Sequence, residues 1–113
     1  MWRTLQRAWQ FHLAYDQGRK HVGPILVVFH LDHAPDRSVA FVASRKVGGA
    51  VERNRAKRVM RAAFAVVVAR RPALTGWIVL VARREILRCK STEVAEQLDR
   101  ALQKGVPVTP PRE

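Results

Sequence analysis

Lys46 to Phe64 reads K-V-G-G-A-V-E-R-N-R-A-K-R-V-M-R-A-A-F, two adjacent glycines followed by a segment dense in arginine. At about 100° per residue, Ala56, Val59, Met60, Ala63, Phe64 and Val67 fall on one arc, the side of a helix that faces a core. Arg53, Asn54, Arg55, Lys57, Arg58 and Arg61 sweep the remaining arc. Burying so much basic decoration is unfavourable, so this arc meets solvent or a polyanion. The rows Arg53-Lys57-Arg61 and Asn54-Arg58 have a four-residue spacing that sets neighbouring donors side by side. Glu52, just before the run, is its one carboxylate. A merely hydrated helix mixes signs to gain pairing. This one does not, which favours a nucleic-acid face.

Around that helix, 113 residues leave room for one domain and one modest core. Apolar residues make up 48%, too many for a disordered basic tail. Lys and Arg total 21 against 9 acids, a formal net charge of +12 that calls for RNA, DNA or, less favoured, an anionic membrane surface. The excess of arginine over lysine suits bidentate phosphate contact and stacking on bases. Cys89 stands alone, which excludes an intramolecular disulfide and a cysteine-based metal site, and it reads as a partly buried small residue. No apolar run approaches the roughly 20 residues that cross a bilayer, and Met1-Trp2-Arg3-Thr4 lacks a signal-peptide apolar block. A cytoplasmic protein without a membrane partner is the expectation.

The flanking segments supply the other elements. Residues 5–17 have helical period, with Leu5, Ala8, Trp9, His12 and Leu13 as one stripe and the aromatic pair Phe11 and Tyr15 on another. Gly18 ends that helix. The run I-L-V-V-F from Ile25 to Phe29 is a strand, with Ile25, Val27 and Phe29 on one face and Leu26 and Val28 on the other. Asp32 to Arg37 is a loop, and Val39 to Ala43 a second strand, antiparallel to the first if the loop closes a hairpin. The basic helix is expected to start near Ala50 and end near Arg70-Arg71, ahead of Pro72. Trp77 to Ala82 is apolar on both faces, as a central strand is. A last helix is capped by Ser91, has Glu93 in its first turn, and carries Val94, Leu98, Ala101 and Leu102 towards a cap at Gly105. Residues 106–113, with Pro107, Pro110 and Pro111, read as a disordered tail after a domain spanning 1–105. This order of elements makes an α+β, two-layer single domain with helices packed on a small mixed sheet.

Chemistry within the polypeptide is hard to find. His12, His21, His30 and His33 are scattered without metal-ligand spacing, and the sparse acids form no acid/base pair. No catalytic residue and no metal ligand is assigned.

The G-G-A-V-E-R-N-R-A-K-R run, preceded by Ser44-Arg45-Lys46, resembles the signature of the bacterial ribonuclease P protein subunit. Phe11-x-x-x-Tyr15-x-x-Gly18-Arg19 is similar to that family's F-x-x-V-[FY]-x-x-G helix, and Phe29 sits at an aromatic position of its first long strand. Gly76 and the strand ending at Arg83 resemble its G-x-D-[IL]-V-V-I-A-R. The chain departs from the pattern at Gly49, where the family usually has Asn, at Trp77, usually Asp, and at Arg84, usually Pro.

The resemblance implies a ribosomal protein S5 domain 2-like fold with a left-handed βαβ crossover and a further strand around Lys20 to Gly23. It implies a catalytic RNA bound through Arg45, Lys46, Arg53, Asn54, Arg55, Lys57, Arg58 and Arg61. It also implies a cleft for the single-stranded 5′ leader of precursor tRNA, lined by Phe11, Tyr15 and Phe29, with Arg53, Asn54, Lys57 and Arg61 near its rim. Leader removal would be performed by the RNA with Mg²⁺ held mainly by the RNA, and no protein partner is implied. Core packing remains the competing reading of Phe11 and Tyr15.

A generic RNA-binding module shares the charge but needs neither the cleft nor the G-x-A-V-x-R-N run. A DNA-binding helix ordinarily comes with a helix-turn-helix or a dimer seam, and neither is visible. An autonomous nuclease lacks its constellation. If the basic arc meets phosphate, neutralising two of Arg53, Arg55, Lys57, Arg58 and Arg61 weakens RNA binding. The slope of log K against log salt then falls by about 0.7–0.9 per lost contact. Filter binding across a salt series reads this directly, and an unchanged slope overturns the assignment.

Overall fold

The computed structural model describes residues 1–104 and the backbone of Val106–Pro107. In chain order the elements are β1 (Arg3–Thr4), α1 (Ala8–Gln17), β2 (Arg19–Val22), β3 (Leu26–Leu31), β4 (Ser38–Val42), α2 (Ala50–Arg70), β5 (Trp77–Ala82), α3 (Ser91–Lys104) and β6 (Val106–Pro107), with a 3-10 turn over Arg84–Arg88. The sheet order is β1-β4-β5-β3-β2-β6. β4 runs parallel to β5, and β5 antiparallel to β3. The result is an α+β domain of three helices on a mixed sheet, with β4, α2 and β5 forming its βαβ unit.

Burial explains the order. In β5, Ile78, Val79 and Leu80 are fully buried, so both faces of the strand need cover and it takes the centre. That placement corrects the expected hairpin. β3 and β4 are not neighbours, because β5 pairs with both and the 32–37 loop spans its end. The loop is fastened there: Trp77 Nε1 donates to Asp36 at 2.8 Å and Ser38 Oγ to the same oxygen at 2.7 Å. Trp77, the departure from the family's Asp, is thus only 2% exposed and takes its carboxylate from the preceding loop. Gly76 precedes it at φ +95°, where a Cβ would run into the Leu31 carbonyl and Asp32 Cα.

The helices divide between the two faces. Leu26, Val28, Ile78 and Leu80 share a core with Ala56, Met60, Ala63, Phe64 and Val67 of α2 and Val94, Ala95, Leu98 and Ala101 of α3. α1 lies on the opposite face with Leu5, Ala14, Leu31, Ala40, Trp77 and Val79. The bounds of α2 and its inward arc are as expected, except that Val59 stays half-buried.

Other expectations need correction. α1 starts at Ala8, because Arg3–Thr4 pairs with β4 and the Leu5 amide donates to the Val39 carbonyl at 3.1 Å. Leu5 is therefore buried from extended chain, while Ala8, Trp9 and His12 are exposed and Ala14 is the buried residue of the helix. Trp9 keeps 57% of its surface, with its ring 5.6 Å from Trp77. Ser91 is the first residue of α3 and not its cap. The Glu93 carboxylate reaches back to the Lys90 amide at 3.3 Å, so the cap lies one position earlier. The strand expected around Lys20 to Gly23 is β2. Val106–Pro107 of the expected tail pairs with β2, whose edge backbone would otherwise lack a partner. Gly105 and residues 108–113 lie outside the described residues.

The Asp36 cluster has a pH signature. Donation from Ser38 and then from Trp77 favours the carboxylate and lowers its pKa. A lowered folded pKa contributes stability above the unfolded value, about 3.9, and that contribution is lost as pH falls through the folded value. The melting temperature of Asp36→Asn should therefore lie below that of the wild type near neutral pH, with the gap closing as pH drops below about 4. Thermal melts across pH check this, and a constant gap refutes it.

Candidate nucleic-acid interface

Two surfaces carry the residues singled out in the sequence. The first is the outer side of α2 with the loop before it. Val47, 1% exposed, anchors that loop in the core, and the Val47 amide donates to the Ser44 carbonyl at 3.0 Å. Arg45 and Lys46 flank this anchor and point outward. Gly48 holds φ +151°, and a Cβ there would crowd the Glu52 side chain. Gly49 caps α2 without a side-chain hydrogen bond, the role an Asn could fill. Arg53 Nε instead donates to the Gly49 carbonyl at 3.4 Å.

The helix carries its cations on two flanks of the core stripe. Arg53 and Lys57 are half-buried, and the Arg61 guanidinium lies 5.7 Å from the centre of the Phe41 ring. Arg55 and Arg58 are exposed on the other flank, where with Val59 and Ala62 they face Cys89, Lys90 and Ser91. Asn54 is exposed between the two flanks. Among the described residues, none of Arg45, Lys46, Arg53, Arg55, Lys57, Arg58 and Arg61 forms an ion pair. Cations elsewhere do pair: Arg70 and Arg71 both hold Asp99, at 3.1 and 2.7 Å.

The second surface is the sheet face under α1. Tyr15 stacks edge-on against Phe29 at 4.7 Å, and Phe11 is 6.3 Å from Tyr15. All three rings are half-buried, packed on the second core yet open on one side. Burial raises the Tyr15 phenol, so the ring is neutral near neutral pH. α1 leaves Val27, Val42 and Val81 only half-buried beside them. Lys20 Nζ sits 5.5 Å from the Phe29 ring centre, a cation that the sequence reading missed. The signal was present in principle, since a tight turn at Gly23-Pro24 pairs Lys20 with Phe29 across the β2–β3 hairpin.

The structure brings the three aromatics together and the α2 cations together, but no ion pair, hydrogen bond or ring contact joins the two groups among the described residues. They lie on opposite sides of the sheet and approach each other at β4. Only Ser38 and Val39 of that strand pair with β1, so its 40–42 half is an open edge beside Phe41 and Arg61. Among the described residues no three of His, Cys, Asp or Glu converge so as to hold a metal ion. His30 Nε2 instead bonds the Thr75 carbonyl at 2.8 Å, and His33 lies beside Asp32 at 3.3 Å. No helix among these residues is long and apolar enough to cross a membrane.

Fold and surface define a small, strongly basic α+β domain built on a βαβ crossover, with unpaired cations massed on the crossover helix. The family model described as Ribonuclease P matches residues 2–105. The ribonuclease P protein component of Nitratiruptor sp. is 33% identical over 102 residues, covering 90% of this chain and 91% of its own. That of Dehalococcoides mccartyi strain CBDB1 is 36% identical over 91 residues, covering 79% of this chain and 72% of its own. Among solved structures, a Staphylococcus aureus RNase P protein mutant with defective mRNA degradation activity superposes with a TM-score of 0.72 at 23% identity, covering 88% of this chain and 85% of that one. The Thermotoga maritima RNase P protein gives 0.67 at 24% identity, covering 87% and 93%. The chain belongs to the ribonuclease P protein component family, subunits of an endoribonuclease that processes tRNA.

Proposed function

We propose that this chain binds the catalytic RNA of ribonuclease P through the outer side of α2 and the 44–49 loop, and holds the 5′ leader of precursor tRNA against Phe11, Tyr15 and Phe29. The observation that carries the reading is the pairing of two unlike surfaces. A row of unpaired cations suits a folded RNA backbone, and half-buried rings with a lysine beside them suit an unstacked single strand. Arg61 beside Phe41, at the open edge of β4, is where a strand leaving the aromatic face meets the cations.

In this reading the protein positions and neutralises, and the RNA with its Mg²⁺ cuts the phosphodiester that releases the leader. Arg55 and Arg58, together with Arg45 and Lys46, contact the catalytic RNA. The Arg53, Lys57 and Arg61 flank, with Asn54, faces both RNAs. Rigorously RNA-free protein should leave precursor tRNA intact with or without Mg²⁺, and site-specific cleavage by it would refute this division of labour.

The aromatics separate a leader-binding subunit from a generic RNA binder. Fully buried rings would cost about 3–5 kcal/mol on truncation, close to the whole stability of a small domain. Half-burial places Phe11→Ala and Tyr15→Ala lower, at about 1–3 kcal/mol, so both variants should fold. Each should lower affinity for precursor tRNA by about 1–3 kcal/mol in the reconstituted holoenzyme while mature tRNA, which has no leader, binds nearly as before. Equal losses for the two substrates would favour the generic module.

A further inference from the structure

The flank of α2 that faces away from β4 borders a separate open groove. Arg55, Arg58, Val59 and Ala62, spaced to share one side of the helix, form one wall, and Cys89, Lys90 and Ser91 form the other. The groove is a shallow, open hollow of about 440 Å³. Its chemistry is divided. Val59, Ala62 and Cys89 make an apolar floor, half-exposed or exposed, and Val59 is the one residue of the inward arc that the core does not bury. Arg55, Arg58 and Lys90 supply three exposed cations, none in an ion pair among the described residues. Glu93 is not among the lining residues, but its carboxylate accepts from the Lys90 amide at 3.3 Å, and burial and then this charge raise the Cys89 thiol pKa.

An apolar floor rimmed by unpaired cations fits one ligand class better than a bare phosphate or an apolar peptide: a nucleotide splayed out of its stack. Its base lies on the aliphatic floor or against a guanidinium plane, and its flanking phosphates meet the rim. We propose that this groove seats one unstacked nucleotide of the catalytic RNA, with Val59, Ala62 and Cys89 under the base and Arg55, Arg58 and Lys90 on the adjoining phosphates. The catalytic RNA is the source because of position. α2 and α3 cover the sheet face opposite the aromatic cluster, and a strand rounding the β4 edge arrives at Arg61, on the other flank of the helix. The inference rests on the functional reading above and adds Lys90, Ser91 and Cys89 to it.

Cys89 makes the groove separately observable, being the only cysteine of the chain. Maleimide labelling of the wild-type protein is followed alone, with ribonuclease P RNA, and with precursor tRNA, while filter binding reports complex formation in each sample. Catalytic RNA should slow labelling at least about tenfold, the scale of one stacked base, and precursor tRNA alone should leave it near the free rate. Ala62→Phe, at an exposed position, fills the groove. It should weaken catalytic-RNA binding about tenfold with the salt slope unchanged. Arg58→Ala should lower that slope by about 0.7–0.9. Bound catalytic RNA with Cys89 still reacting at the free rate, or full binding by Ala62→Phe, overturns the proposal. Protection by precursor tRNA alone overturns its assignment to the catalytic RNA. No binding of catalytic RNA at all overturns the functional reading as well, and the filter assay tells that case from the others.

Discussion

The parallel pairing of β4 with β5 is the constraint on which the rest of the molecule depends. Two parallel neighbours cannot be joined by a tight turn, so the chain must leave the sheet, cross a face and return. The crossing segment is α2, and its length and solvent exposure follow from that task. Because β5 is buried on both faces, the helix that completes its cover must present Ala56, Met60, Ala63, Phe64 and Val67 inward. Everything left over on the helix is then free to carry charge. The cationic surface is therefore a consequence of the topology, with arginine placed where packing makes no demand.

The two faces of the sheet are finished differently, and the proposed function rests on that difference. Two helices close one face into a buried core. A single ten-residue helix only partly closes the other, which leaves Phe11, Tyr15 and Phe29 shared between packing and an open surface. These rings answer two demands at once: they hold α1 to the sheet and they present flat apolar area to whatever lies along it. The competing core reading of Phe11 and Tyr15 thus accounts for the packed side of these rings, and their open side is what the proposed leader cleft would use.

Legibility in the sequence tracked how local each determinant was. α2 was readable nearly to its bounds because its signals are near-neighbour ones: a glycine pair before, Pro72 after, and a helical period between. β5 declared its centrality through apolar residues on both faces. The β3–β4 hairpin was misread because strand order is decided by which strand most needs burial, and the 32–37 loop looks the same whether it closes a hairpin or spans a third strand. The first helix was misread because two stripes compete in a short segment, and Leu5 and Trp9, expected on one stripe, part company once Arg3–Thr4 joins the sheet: Leu5 is buried and Trp9 exposed. The aromatic trio was legible as a set only through the family resemblance. Lys20 beside Phe29 was not, because its position depends on a cross-strand register.

The half-paired β4 carries a further consequence. A strand whose outer edge at residues 40–42 pairs with no other strand among the described residues is a template on which a second copy could add its own strand. Here that edge carries Phe41 with Arg61 beside it, on a molecule of net charge +12, so repulsion opposes two copies meeting edge to edge. The charge that suits a polyanion would thus also oppose self-association of the free protein. Bound RNA would remove the repulsion while itself covering the surface. Self-association should therefore be most pronounced at high salt without RNA, where the repulsion is screened and nothing shields the edge.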